Sequence, residues 1–176
     1  MYQIRLAKQL VEDFAYLIGR HVTTTGLCVS TVEEIDDTPI LDSTAHSKYM
    51  SAVGSLNYLV KSTRPDLANA VRALSKKMRT PTEKDLKKLG RTLTYLSLNP
   101  TLGLLFRKFS TLNFSTTWTM QAYSDSDWAG DVVSRKSISG WCIFLCNSLV
   151  AWKSRGQKCT ALSSTGAEYV LSLIHI

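Results

Sequence analysis

TWTMQAYSDSDWAGDVVSRKSISGWCIFLCNSLVAWK, residues 117–153, is the stretch that decides the fold class. Within it, 117–124 alternates, with Trp118, Met120 and Ala122 on one side. Segments 137–146 and 149–153 are rich in β-branched and aromatic residues, which suit a pleated, half-buried surface. Gly130 and the polar run 131–136 separate the first two segments. The links at 130–136 and 146–149 are short, whereas parallel neighbours need a crossover of about a dozen residues. Three antiparallel strands in chain order are therefore expected.

Upstream, the period changes to that of helices. Ile4, Ala7, Leu10, Val11 and Phe14 predict a helix over 3–17, ending near Gly19. Residues 20–42 show no period and read as a connection. Ser43 or Thr44 is the expected cap of a helix with the stripe Tyr49, Val53, Leu56 and Leu59. Pro65 fits the first turn of the next, which carries Leu67, Ala70, Val71, Leu74 and Met78 on one face. Residues 82–85 have the form of a capping box with Asp for Glu, ahead of Leu86, Leu89, Leu93 and Leu96. Asn99-Pro100 ends that helix. Residues 101–106 (TLGLLF) read as a short strand and 107–116 as a loop. Downstream of the strands, a last helix is expected to start after Ser164 or Thr165. The fold class is thus α+β: a helical region followed by three antiparallel strands and the beginning of a helix.

Composition narrows the function classes. The 176 residues are 44% hydrophobic, which is normal for a globular chain. Lys and Arg number 21 against 14 acids, a net charge of +7 that favours a polyanionic partner. No apolar run approaches the about 20 residues that span a bilayer, and 1–10 has no apolar core of a secretory signal. An intracellular protein without a membrane partner is expected. Cys28, Cys142, Cys146 and Cys159 form no C-x-x-C pair, so a zinc site is not expected. Buried, reduced thiols are, with Cys142 and Cys146 on one sheet face.

Two carboxylates stand out. Asp125, with Asp127 two residues on, lies at an expected strand end, where hard oxygen ligands could be held rigidly for a divalent cation. A solvated turn explains the same pair. Glu168 stands 43 positions after Asp125, near the start of the last helix. Its alternative is structural, because Thr165-Gly166-Ala167-Glu168 has the S/T-x-x-E form of a capping box. Lys84, Lys87, Lys88 and Arg91 share a helix face, and Arg135, Lys136, Lys153, Arg155 and Lys158 lie among Trp128, Trp141 and Trp152. Such groups contact phosphates and stack on bases, or are a solvated face and a core. His21, His46 and His175 share no spacing.

Four blocks in order resemble copia-type retrotransposon Pol polyproteins. SKYMSAVGSLNYLVKSTRPDLANAV (47–71) resembles the Y-x-x-x-V-G-S-L-x-Y-L and T-R-P-D block of the reverse transcriptase, downstream of its polymerase site. AYSDSDWAGD (122–131), RKSISGWCIFL (135–145) and LVAWKSRGQKCTALSSTGAEYV (149–170) resemble the first three strands and first helix of the ribonuclease H domain. The resemblance implies that 1–110 is the C-terminal, thumb- or connection-like part of the reverse transcriptase and 117–170 the N-terminal part of ribonuclease H. It implies a ribonuclease H-like sheet, RNA–DNA hybrid as partner along with the remainder of the polyprotein, and two magnesium ions held by four carboxylates. Asp125 matches the first catalytic aspartate and Glu168 the helix glutamate, both metal ligands. Asp127 matches a family acid less directly tied to metal.

Four departures accompany these matches. Gly166 replaces the first Glu of the family's S-T-E-A-E-Y pattern. The polymerase aspartates find no match in 1–40, and the two later ribonuclease H aspartates would follow Ile176. Residues 171–176, LSLIHI, resemble a translated sequencing-library adapter and are expected to be a non-native tail. Three functions follow: a ribonuclease H attached to a reverse transcriptase, with the fragment itself inactive; a non-catalytic nucleic-acid-binding piece; or an inert remnant.

Overall fold

A computed structural model describes residues 3–19, 39–106, 118–131 and 133–174. The chain divides into two compact units, Met1–Gly103 and Leu104–Ile176.

The first unit is helical. Helix α1 is Ile4–Asp13, α2 is Ser43–Ser62, α3 is Ala68–Lys76 and α4 is Glu83–Leu98. Their apolar stripes meet in one core that includes Ala7, Leu10, Phe14, Tyr49, Val53, Leu56, Leu59, Val71, Leu74, Leu89, Leu93 and Leu96. Each buried Leu removes enough apolar surface from water to contribute about 1.5–3 kcal/mol. Tyr49 is buried with its hydroxyl donating to the Leu74 carbonyl at 2.9 Å.

Local details depart from the pattern reading where tertiary contacts decide. The helix expected over 3–17 stops at Asp13, and a 3-10 turn, Ala15–Leu17, follows. The tighter turn brings the Leu17 carbonyl against Gly90 of α4, where an added Cβ would stand 2.6 Å from that oxygen. The cap of α2 is Asp42, not Ser43 or Thr44. Its extended backbone lets the carboxylate accept from the Ala45 N–H at 2.9 Å. Pro65 opens a 3-10 turn, Pro65–Leu67, ahead of α3. Met78 lies beyond α3 but still packs on the core. The capping box of α4 forms, with the Asp85 carboxylate accepting from the Thr82 N–H and hydroxyl. Residues 101–106 do not form a strand. The loop expected at 107–116, most of the connection at 20–42 and Cys28 lie outside the described residues.

In the second unit, β1 (Met120–Asp127), β2 (Ile138–Leu145) and β3 (Ser148–Gly156) form an antiparallel sheet in the order β1-β2-β3. The fold class is thus α+β with an open three-stranded sheet. β1 begins later than expected and runs through Asp125 to Asp127. Leu145 pairs with Ser148, so Cys146 and Asn147 alone turn the chain. Both have positive φ, 46° and 61°, as a type I′ hairpin turn requires. Cys146 is therefore a turn residue, not a strand partner of Cys142 on one face. The described cysteines are free, but Cys159 is exposed and the other two are half-buried, because β3 ends before Cys159 and the sheet faces are only partly covered. Helix α5, Ser164–Ile174, completes the unit and buries Ala167 and Leu171, one turn apart.

Candidate functional site

The end of β1 and the first turns of α5 converge. Register pairs Asp125 with Gly140, Ser126 with Ser139 and Asp127 with Ile138. Side chains alternate across a strand, so Asp125 and Asp127 share one face and Ser126 points to the other. Gln157, just past β3, marks the face that α5 covers. Its Nε2 donates to Ser126 Oγ at 3.3 Å, Ser139 Oγ at 3.0 Å and the Ala167 carbonyl of α5 at 2.9 Å. One buried amide thus ties two strands to the helix.

Glu168 does not face its own helix start. Ser163 occupies the cap position, its hydroxyl accepting from the Gly166 N–H at 3.0 Å. The helix begins one residue earlier than expected, and the Thr165–Glu168 capping box does not form. The Glu168 carboxylate instead accepts from the backbone N–H of Ser126 at 2.9 Å. β1 is an edge strand, so an N–H bonded in this way points outward, away from β2. Glu168 and Asp125 therefore approach the β1 edge from opposite sides of the pleat, within one residue of each other along the strand. Both are exposed.

Asp127 has a different setting. Its carboxylate folds over Gly130 at a point where any Cβ would collide with it. The chain then reverses with Ala129 in the left-handed region, φ 51°, and the Ala129 N–H donates to Ser137 Oγ. Trp128 is exposed, with its indole N–H donating to the Ala161 carbonyl at 3.0 Å. The SDSDWAGD block thus builds a shaped corner next to the carboxylates. The left-handed Ala129 and the Gln157 clamp were not legible in the sequence, since Ala and Gln carry no turn or site signal of their own.

For a divalent cation the donor type fits, since carboxylate oxygens are the ligands magnesium prefers. The donor number does not: among the described residues no group of three or more His, Cys, Asp or Glu side chains could hold a metal. The basic residues are distributed over both units. Lys88 on α4 lies 3.8 Å from Asp85, and Lys153, Arg155 and Lys158 are exposed around the α5 face of the sheet.

Similarity defines the family. The chain is 42% identical over 123 residues to a retrovirus-related Pol polyprotein from transposon RE1 of Arabidopsis thaliana, spanning 70% of this chain and 8% of that protein. It is 34% identical over 154 residues to the corresponding polyprotein from transposon TNT 1-94 of Nicotiana tabacum, 88% of this chain and 11% of that one. A secreted RxLR effector protein 161 of Plasmopara viticola is 44% identical over 122 residues, and the chain spans 82% of it. The chain belongs to the family of copia-type retrotransposon Pol polyproteins. No family profile and no solved structure matches it. No helix among the described residues is long and apolar enough to cross a membrane.

Proposed function

We propose that the chain is a Pol segment covering the end of a reverse transcriptase, 1–110, and the first part of a ribonuclease H domain, 117–170, acting on RNA–DNA hybrid inside the cell. The observation that carries this reading is the bond from the Ser126 N–H to Glu168, across 42 positions and beside Asp125. The bond turns the Glu168 carboxylate from its own helix start, which Ser163 caps, to the strand edge. In this reading Asp125 and Glu168 are two of the carboxylates that hold magnesium, one approaching the β1 edge from each side of the pleat. Bound magnesium would supply positive charge at the scissile phosphate and an activated water. The chain's own part is to aim two oxygens at that edge, with Gln157 fixing α5 against the sheet. Lys and Arg side chains would bind the phosphates of the hybrid and neutralise their charge.

With two carboxylates, the described residues alone would hold magnesium weakly, and we propose that this chain does not cleave by itself. For the 176 residues in isolation, that leaves a nucleic-acid-binding piece without catalysis or an inert remnant. Residues 171–176 are proposed to be foreign to the family; the place of 171–174 in α5 does not bear on this, because an apolar run extends a helix whatever its origin. A genomic read that continued through their codons would remove the proposal.

The experiment joins residues 1–170 to the downstream sequence of an intact relative and assays a labelled hybrid with and without magnesium. Magnesium-dependent cleavage by the extended protein, and none by the original chain, is the expected result. An extended protein that folds, binds hybrid and never cleaves would overturn the ribonuclease reading.

A further inference from the structure

A cavity of about 580 Å³ lies on the α5 face of the sheet, away from the β1 edge. The strand register supplies its lining. Trp141 pairs with Lys153 and Ser139 with Arg155, so one indole and two cations stand side by side on one face. Lys158 and Cys159 continue the rim from β3, and Val170 of α5 closes a side. No carboxylate is among these lining residues, and among the described residues Lys153, Arg155 and Lys158 make no ion pair.

These features have one chemistry in common. An aromatic plane recognises a flat, π-bearing group, and stacking of this kind tolerates any base. Three clustered cations without counter-ions recognise a phosphate. The volume exceeds what a single phosphate needs and suits a pocket for a small molecule. We propose that this cavity binds one nucleotide unit, its base on Trp141 and its 5′-phosphate held by Lys153, Arg155 and Lys158. The site uses neither Asp125 nor Glu168 and needs no metal.

Cys159 at the rim provides a reporter. The full chain in EDTA is alkylated with a maleimide, and labelling at Cys159 and Cys142 is followed by mass spectrometry in the presence of AMP, adenosine, inorganic phosphate or a 5′-phosphorylated single-stranded tetranucleotide. AMP is expected to slow labelling of Cys159 and not of Cys142, with adenosine and phosphate at least roughly tenfold less effective, as loss of charge-assisted bonds or of stacking predicts. Lys153→Ala and Arg155→Ala alter exposed side chains and should fold normally, which circular dichroism checks; each should raise the AMP concentration needed by roughly tenfold. Trp141→Phe keeps a stacking ring and should retain protection, whereas Trp141→Leu should lose it. A tetranucleotide more potent than AMP assigns the unit to a strand, and equal potency assigns it to free nucleotide. Equal protection by phosphate and AMP, or no protection by either nucleotide probe, or unchanged protection in both Ala variants, would overturn the proposal. Because magnesium is absent throughout, this result and the cleavage result can fail independently.

Discussion

Arg64 shows how a single residue of the T-R-P-D motif acts. Its side chain is 2% exposed, and the guanidinium forks onto Asp66 at 2.9 and 2.7 Å while donating to the Asn99 carbonyl at 2.9 Å. It also lies over the Tyr95 ring. One planar cation thus ties the α2–α3 link to the end of α4. Lysine cannot reproduce a bidentate fork. Arg64→Lys is expected to cost about 2–3 kcal/mol in urea unfolding of the helical unit, since charge-assisted bonds of a buried group are lost; a loss under about 0.5 kcal/mol, typical of an exposed site, would contradict this. Tyr49 gives a pH dependence. Burial, and next the Asp85 carboxylate, push its hydroxyl well above the ordinary value. A raised folded-state pKa contributes stability that is complete below the unfolded value, about 10, and is lost as pH rises beyond it. Unfolding midpoints should therefore fall above pH ~10, and Tyr49→Phe should flatten that part of the profile while costing about 1 kcal/mol at neutral pH from the bond to Leu74.

Among the elements, α4 and the β2–β3 hairpin respond to substitution in opposite ways. Ala normally stabilises a helix interior by about 1 kcal/mol over Gly. At Gly90 the new Cβ would meet the Leu17 carbonyl at 2.6 Å, a backbone atom that cannot swing away. Gly90→Ala is therefore expected to destabilise the helical unit, and a rise in its melting temperature would contradict the close packing. In the hairpin, Cys146 and Asn147 both hold positive φ. Replacing Cys146-Asn147 by Asn-Gly, the pair most suited to a type I′ turn, should stabilise the sheet unit by about 0.5–1 kcal/mol. The helices of 43–99 and the meander order were legible because apolar spacing and link length are local properties. The first break in 3–17, the absence of a strand at 101–106 and the turn at Cys146 were not. Each depends on a partner distant in sequence or on a residue type with no turn signature. At the site, Asp125 and Glu168 stood out by type and by resemblance. That Glu168 leaves its cap for the Ser126 N–H could only come from the packing of α5.

At the scale of the molecule the two units differ in how much they bury. The helical unit has a continuous apolar core. In the sheet unit the buried hydrophobic residues among those described are Leu104, Ile138, Ala167 and Leu171, while Met120, Tyr123 and Tyr169 are exposed. Heating should therefore give two transitions, with far-UV signal from the sheet lost before that from the helices; a single transition shared by both signals would contradict the division into units. Family membership rests on similarity along the chain, whereas the proposed catalysis rests on Asp125 and Glu168 approaching one strand edge. The direct measurement is made in the extended protein, with Asp125→Asn and Glu168→Gln assayed for hybrid cleavage and hybrid binding together. Both variants should bind hybrid within about twofold of the parent, because phosphate contacts carry the affinity. Both should lose cleavage by at least about a thousandfold, a barrier increase of about 4 kcal/mol. Normal cleavage by either variant, or cleavage that falls only in proportion to lost folded protein, would contradict the account.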